Sequence, residues 1–268
     1  LVGSEMCIRD SYYVTPQVWA SRPGRMKVMA RVITKAAVIL PFEEALLRQH
    51  GVNARFVGHP LLDRAAALPS REEARARLGL PATGEVLALF PGSRPQEIAR
   101  HTRDFAEVAR ELVRRRPGLT VVIGLAPGVT LDPAALPFRT VSSASFDVLR
   151  AADVALCKSG TTTLEAAIAG CPCAIVYRIN PVTFAILKRL VRIPHIGLVN
   201  IVAGREVAPE FVQDAFVPTR VADALEPLFA ADGAPRRAMC EGLAGVRAQL
   251  GTPGASARVA QIALDILA

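Results

Sequence analysis

Six consecutive residues, Ser159-Gly160-Thr161-Thr162-Thr163-Leu164, put four hydroxyls and a glycine between the apolar run DVALC (153–157) and an alanine-rich stretch ending at Gly170. If the run is a strand and the stretch a helix, the first helical N–H groups have no intrahelical acceptor and carry the positive end of the helix dipole. That is an anion seat. Gly160 would let a diphosphate approach the backbone, while Ser159, Thr161 and Thr162 add hydroxyl donors. Glu165, about one turn into the helix, would accept hydrogen bonds from two vicinal hydroxyls of a ribose. A second loop, FPGSRPQE, has the same setting: Pro91 and Gly92 turn the chain, Ser93 offers a hydroxyl, and Arg94 projects a fork suited to phosphate oxygens. Taken singly, each loop is also explained as an ordinary strand-to-helix turn, with Ser93 as a cap and Glu165 answering the helix dipole. Two such loops at the carboxyl ends of strands, facing one crevice, favour a nucleotide site.

The chain contains neither G-x-x-x-x-G-K-[ST] nor G-x-G-x-x-G, so the nucleotide is expected to serve as a leaving-group handle. Its four histidines, His50, His59, His101 and His195, are scattered without metal-ligand spacing, and Cys171-Pro172-Cys173 lacks the two-residue gap of zinc or redox pairs. His59, in GHP, reads as a structural residue after a strand, with a role beside a cleft as the alternative. In the segment 177–213, Asn200, Gly204, Arg205 and Glu206 form a polar, glycine-dependent loop. Together with Tyr177 and Arg178 they are the expected substrate wall. Between them, Phe184, Leu187, Leu190 and Val191 make one apolar face beside Lys188, Arg189 and Arg192, which suits a helix on an anionic interface or a buried helix with a basic rim.

The elements that must position these loops follow from the hydropathy pattern. Short apolar runs EVLALF (85–90), LTVVIG (119–124), RTVS (139–142), DVALC (153–157) and CAIVY (173–177) alternate with amphipathic stretches, as in a parallel sheet with crossover helices. In QEIARHTRDFAEVARELVRRR, Ile98, Phe105, Val108, Ala109, Leu112 and Val113 share one helical face, and arginines crowd the last turn. Upstream, YYVTPQVWA, AAVIL and ARFVGHPLLD read as three strands of a different sheet with one clear helix, followed by a polar linker near 63–70. The last part reads as three helices, VADALEPLFA, APRRAMCEGLAGVRAQL and ASARVAQIALDILA, without intervening strands.

Bulk composition sets outer limits. The 268 residues are 51% hydrophobic, enough for a large core, and no uncharged run approaches the roughly 20 apolar residues of a spanning helix. A formal charge of +8 favours an anionic partner. A nucleic-acid surface would interleave cations with exposed aromatics, and aromatics are 5% of the chain without such a patch. Five cysteines without a framework suggest a reducing, cytoplasmic compartment.

With these residues laid out, the chain resembles the lipid-A-disaccharide synthase family from about Tyr13 to its C-terminus. The resemblance is carried by YVTPQVWA, ILPFEEALL, RFVGHPLLD, LFPGSRPQEI, SGTTTLEAAIAGCP, YRINPVTFAILKRLV, LVNIVAGREVAPEFVQ and, more weakly, PGASARVAQIAL. SGT…LE is shared with many nucleotide-sugar transferases; the YRINPVTF and NIVAGRE stretches are more specific. The resemblance implies an α/β GT-B glycosyltransferase with two Rossmann-like domains. The donor would be UDP-2,3-diacylglucosamine and the acceptor 2,3-diacylglucosamine 1-phosphate, joined in an inverting β(1→6) linkage with loss of UDP. It implies no cofactor and no metal, Arg94 and the helix at Thr161 neutralising charge on UDP instead. It also implies cytoplasmic, peripheral attachment to the inner membrane of a Gram-negative bacterium, no nucleic-acid partner, and a homodimer among the expected states.

The corresponding domain reading is an artefactual or unstructured end (1–11), the remnant of an N-terminal acceptor-side domain (12–65), a UDP-sugar-binding domain (66–250), and a C-terminal helix (251–268) packing back toward the N-terminal domain. The family's general-base carboxylate is expected upstream of YVTPQVWA, with on the order of 100 residues absent by ordinary domain size. No catalytic residue is therefore assigned, and the chain alone is expected to bind UDP weakly without turnover. The competing readings are another GT-B transferase of the UDP-GlcNAc type, such as one acting on the peptidoglycan lipid precursor, and a basic nucleic-acid-binding module.

Overall fold

Two parallel sheets, one of three strands and one of six, organise the computed structural model, which describes residues 11–21, 23–132, 134, 136–181, 183–184 and 194–267. They belong to two compact units. Among the described residues the first comprises 11–66 and 248–267, and the second comprises the remainder, from Ala67 to Arg247.

In the first unit β1 (Ser11–Tyr13), β2 (Lys35–Val38) and β3 (Ala54–Phe56) pair in that order, all parallel. Helices α1 (Val18–Ser21), α2 (Arg25–Val32), α3 (Pro41–Gln49) and α4 (Leu61–Arg64) connect and flank them. A parallel sheet has to be covered on both faces, and the alternation of β2 shows how. Ala36 and Val38 pack with Met26, Met29 and Leu47, while Ala37 packs with Val57, Ile262 and Ile266 of the C-terminal helix Ala255–Leu267.

Three upstream expectations need correction. The first strand ends at Tyr13, because Val14 takes φ 59° and Pro16 lacks a ladder donor; Val18 N–H then bonds Pro16 O at 2.6 Å and opens α1. The third strand stops at Phe56, since Gly58 (φ 80°) turns the chain and Pro60 leads into α4, which also occupies the start of the presumed linker. Within 11–66 four helices, rather than one, accompany this sheet among the described residues, and the C-terminal helix adds a fifth. Gly58 is required twice over: its φ is left-handed, and a Cβ there would lie 2.9 Å from Arg258 Nη2 and 3.1 Å from Thr252 O.

The C-terminal helix is fastened by charge as well as by burial. Asp63 accepts from the N–H groups of Gly254, Ala255 and Ser256, the last two at 3.3 Å, and from Ser256 Oγ at 3.2 Å. Arg258 donates to Val57 O at 2.8 Å and Thr252 O at 2.6 Å. His59 is buried; its backbone N–H bonds Leu250 O, and its Nδ1 accepts from Leu61 N–H at 3.2 Å. Burial lowers its pKa to about 4, so the ring is neutral at pH 7 with the proton on Nε2.

The second unit runs α5 (Arg71–Arg77), β4 (Val86–Phe90), α6 (Pro95–Arg115), β5 (Thr120–Leu125), β6 (Arg139–Ser142), α7 (Ser145–Ala151), β7 (Val154–Lys158), α8 (Thr162–Ala169), β8 (Cys173–Tyr177), α9 (Leu198–Ala203), β9 (Glu210–Val212), α10 (Pro218–Leu225) and α11 (Ala234–Gln249). Its strand order is β6-β5-β4-β7-β8-β9, parallel throughout. The central strands are buried along almost their whole length, which is why they read as continuous apolar runs. Three elements are additions to the sequence reading. Helix α5 is announced by a Ser70/Glu73 capping box, helix α9 carries Asn200 where a loop was expected, and β9 is a three-residue edge strand in the segment 177–213.

The arginines at the end of α6 do more than answer its dipole. Arg115 pairs with Glu111 and Asp223, each at 2.7 Å, and with Glu226 at 2.8 Å, joining α6 to α10 and the turn after it; Arg116 pairs with Glu85. Arg75, fully enclosed, donates to the carbonyls of Ala151, Ala82 and Gly84 and to Asp153 Oδ2, while Asp153 also accepts from Val86 N–H at 2.8 Å.

The clasp at Asp63 has a signed pH dependence. Chiefly through the Gly254 N–H, with those of Ser256 and Ala255 and the Ser256 hydroxyl assisting against a small burial cost, its pKa lies below the ordinary 3.8. A depressed carboxylate stabilises the fold fully above its unfolded pKa and stops doing so as pH falls through the folded value. Asp63→Ala should lower unfolding free energy by about 1 kcal/mol at pH 7, as removal of a helix cap does. Urea titrations should show that difference vanishing below the carboxylate range; a deficit unchanged with pH would contradict the clasp.

Candidate functional site

The chain leaves β4 toward β5 and β6 on one side and returns to place β7, β8 and β9 on the other, so the direction of progression reverses between β4 and β7. At such a switch point the loops from two adjacent strands diverge and leave a crevice beyond their carboxyl ends. The two loops singled out from sequence are the loops at this reversal: residues 91–94 follow β4, and 159–161 follow β7.

One ion pair joins the two loops. Lys158, the last residue of β7, places Nζ 2.9 Å from Glu97 Oε1 in the first turn of α6. Glu97 Oε2 also accepts from Ser93 N–H at 3.2 Å, and Arg94 approaches Oε1 at 3.5 Å. Burial pushes the Glu97 carboxyl up, but Lys158, the Ser93 N–H and Arg94 outweigh it and hold its pKa below the ordinary value. The turn is tight: Gly92 has φ 145°, and a Cβ there would fall 2.8 Å from Glu97 Cβ. Ser93 does not cap α6 with its side chain; Arg94 occupies the cap position, and its side chain is 80% exposed and free to swing to an anion.

Across the crevice, the N–H groups of Thr161 and Thr162 have no acceptor among the described residues, whereas those of Thr163, Leu164 and Glu165 bond back to Gly160 and Thr161. Thr161 is exposed, Thr162 half-buried, and a Cβ on Gly160 would meet nothing within 4 Å, so the surface there is open to a ligand. Ser159 departs from expectation. Its hydroxyl proton goes to Ile196 O at 2.7 Å and its N–H to Val176 O at 2.9 Å, so it holds neighbouring chain and has no donor left for phosphate. Glu165 is buried and accepts from Ser145 Oγ at 3.0 Å, which brings the start of α7 to the same edge.

The expected substrate wall divides. Asn200 is wholly buried and fully used: Nδ2 donates to Ala208 O and Glu210 Oε1, both at 2.7 Å, and Oδ1 accepts from Val207 and Ala208 N–H at 2.7 and 3.0 Å. It is a structural knot, with nothing left for a substrate. Gly204 is the left-handed C-cap of α9, at φ 65°. Arg178 is likewise committed, to Asp104, to Phe216 O at 2.7 Å and Gln213 O at 3.3 Å, with its guanidinium 5.0 Å from the Phe216 ring centre. Its N–H bonds His101 Nε2 at 3.1 Å, while His101 Nδ1–H donates to Glu97 O at 2.8 Å. Burial lowers the His101 pKa, in keeping with that neutral tautomer. Tyr177 is half-buried, its ring centre 5.6 Å from Lys158 Nζ. Burial, followed by the Glu97 charge, raises its pKa, so it is a neutral phenol. Arg205 and Glu206 are exposed. The apolar-basic helix face proposed from sequence falls, beyond Phe184, outside the described residues.

Sequence reasoning passed over Lys158, Glu97 and Ser145. The E of FPGSRPQE and the K before SGT were visible, but only the strand register shows that they meet.

Two α/β units built on parallel sheets, the second with its strand order reversed at the centre, are of the GT-B fold class. The pattern of the lipid-A-disaccharide synthetase family matches residues 8–241. The chain is 41% identical to a lipid-A-disaccharide synthase of Geobacter metallireducens, covering 99% of this chain and 71% of that protein. It is 42% identical to one from Anaeromyxobacter sp. strain K, covering 96% and 68%. Among solved structures it is similar to a UDP-GlcNAc 2-epimerase from Neisseria meningitidis bound to UDP-GlcNAc, with TM-score 0.58, 12% identity, and coverage of 96% of this chain and 69% of that one. It is also similar to WaaG, a glycosyltransferase involved in lipopolysaccharide biosynthesis, with TM-score 0.51, 14% identity, and coverage of 85% and 62%. The chain belongs to the lipid-A-disaccharide synthase family, glycosyltransferases of lipid A biosynthesis.

The reassignment of Asn200 separates stability from binding. Asn200→Ala leaves several buried groups unpaired and should cost about 3 kcal/mol in urea unfolding, whereas Arg205→Ala, on the surface, should stay within about 0.5 kcal/mol. Equal, small effects would contradict the knot.

Proposed function

We propose that the crevice between the loops after β4 and β7 binds the diphosphate of a UDP-linked acylated glucosamine, and that the reaction transfers this sugar to the 6-hydroxyl of a 2,3-diacylglucosamine 1-phosphate. The observation that carries this reading is the convergence of exposed Arg94 and the open Thr161 and Thr162 amides on one switch point, in a chain of this family. The acceptor oxygen forms a bond to the donor's anomeric carbon as the bond from that carbon to the diphosphate oxygen breaks, and the electron pair leaves with UDP. Inversion at that carbon gives the β(1→6) disaccharide. The hydroxyl proton passes to a base, and no residue of this chain is assigned that role.

Charge accumulates on the diphosphate as the bond breaks. Fixed donors aimed there stabilise the transition state more than the ground state, which is the work a metal does in other transferases. Gly92, Ser93 and Gly160 supply close backbone approach. Glu165, one turn into α8 and already accepting from Ser145 Oγ, is the residue of this edge that faces the ribose hydroxyls. Tyr177 lies beside Lys158 and borders the donor site. No helix among the described residues is long and apolar enough to cross a membrane. Peripheral work at the cytoplasmic face of the inner membrane follows from substrates whose acyl chains stay in lipid, and the basic, apolar sequence 184–192 supports it.

Titration calorimetry of the 268-residue chain tests the seat. UDP should bind at least tenfold more tightly than uridine, and Arg94→Ala should reduce the UDP affinity about tenfold while leaving uridine unchanged, the loss of one charge-assisted contact. Equal affinities for UDP and uridine would overturn the diphosphate role.

A further inference from the structure

Beside the diphosphate seat lies a pocket of about 310 Å³ that the reading above leaves without an occupant, bounded by Arg100 on α6, the stretch from Arg178 to Pro181 after β8, and Gln213 and Asp214 after β9. Its walls are stiff. Gln213 holds a left-handed backbone (φ 52°), unusual for a residue with a side chain, and its amide clasps Ile179 on both sides: Oε1 accepts from Ile179 N–H at 2.8 Å and Nε2 donates to Ile179 O at 3.1 Å. Arg178 is pinned by Asp104 and Phe216. Such locking aims the next residue, Asp214, without leaving the floor free to collapse.

Against those committed groups, two side chains stand out. Arg100 and Asp214 are exposed, line the same pocket, and have no hydrogen-bond or ion-pair partner among the described residues. Their charges cancel, which disfavours a phosphate beside the Asp214 carboxylate, and two charges disfavour an acyl chain. Ile179 and Pro181 add an apolar surface. An apolar wall with an unspent donor fork and an unspent acceptor suits a neutral, hydroxyl-rich ring, and the volume accommodates one pyranose with a small substituent.

The location says which ring. Strand β8 is the neighbour of β7, and Ser159 N–H bonds Val176 O, so the chain that walls the pocket from Arg178 onward leaves the strand next to the loop that carries the diphosphate seat, the two strands about 5 Å apart. Lys158, which precedes that loop, has Nζ 5.6 Å from the ring centre of Tyr177, which precedes Arg178 of the pocket wall. We propose that this pocket seats the pyranose attached to the nucleotide diphosphate, with Arg100 donating to ring hydroxyl oxygens and Asp214 accepting from ring hydroxyls, making these two residues determinants of which sugar is transferred. The inference rests on the nucleotide-site reading above.

The test compares UDP, UDP-GlcNAc and glucosamine 1-phosphate by calorimetry on the unaltered chain and on Arg100→Ala and Asp214→Asn, both surface changes that leave the core intact. Each variant should bind UDP-GlcNAc about tenfold more weakly and bind UDP within twofold of the unaltered chain, and Arg100→Lys should recover part of the loss. UDP-GlcNAc affinity unchanged in both variants, or UDP and UDP-GlcNAc weakened alike, overturns the assignment while leaving the nucleotide site standing. Variants that lose glucosamine 1-phosphate and keep UDP-GlcNAc also overturn it, since the ring would then be the acceptor's. Absence of UDP binding by the unaltered chain removes the nucleotide site and this pocket's role together.

Discussion

The contact between Lys158 and Glu97 is the constraint on which the site depends. Two loops that diverge from adjacent strands have no backbone pairing to hold them in register, and this half-buried pair, at 2.9 Å, sets their separation. Screening by solvent is weak for a pair enclosed to this degree, so it can act as a strut where an exposed pair could not. It also neutralises its own charge. The positive field in the crevice therefore comes from Arg94 and the amino end of α8, two sources that face the space between the loops.

Around that strut, most polar side chains are spent on holding the chain. Ser159, Asn200, Arg178, Gln213 and Glu210 each close hydrogen bonds within the second unit, Glu210 accepting from Ile196 and Gly197 N–H at 2.9 Å as well as from Asn200. Groups without such commitments, or held as loosely as Arg94 is by Glu97 at 3.5 Å, are correspondingly informative. Arg94, Thr161, Thr162, Arg100 and Asp214 follow the tops of β4, β7 and β9, where the sheet ends and a ligand can approach. Family membership rests on identity along nearly the whole chain, and the proposed seat rests separately on which groups remain unsatisfied.

Much of this was legible in the sequence where burial is two-sided. Strands β4, β5, β7 and β8 read as unbroken apolar runs because helices cover both faces. Strand β9 did not, since Glu210-Phe211-Val212 is a half-buried edge whose carboxylate serves loop amides. YYVTPQVWA misled because β-branched and aromatic residues suggest a strand, while Pro16 and the left-handed Val14 turn it into a short helix. In the site, the loops could be found from glycine and hydroxyl content, but residue type alone gave Asn200, Arg178 and Ser159 to the ligand. Only the register of β7 on β8 and the fold of 196–210 reveal that the valences of Asn200 and the donors of Ser159 are already filled and that Arg178 is tied to Asp104 and to the carbonyls of Gln213 and Phe216, and only register brings Lys158 to Glu97.

The central claim is that backbone amides at the start of α8, together with the loop after β4, grip a diphosphate. Its most direct test is amide-resolved NMR of the isotopically labelled chain titrated with UDP. The account predicts large, saturable shifts at the N–H groups of Thr161 and Thr162 that rise together with one dissociation constant. Saturable shifts confined to other residues, with those two amides unmoved, would contradict it.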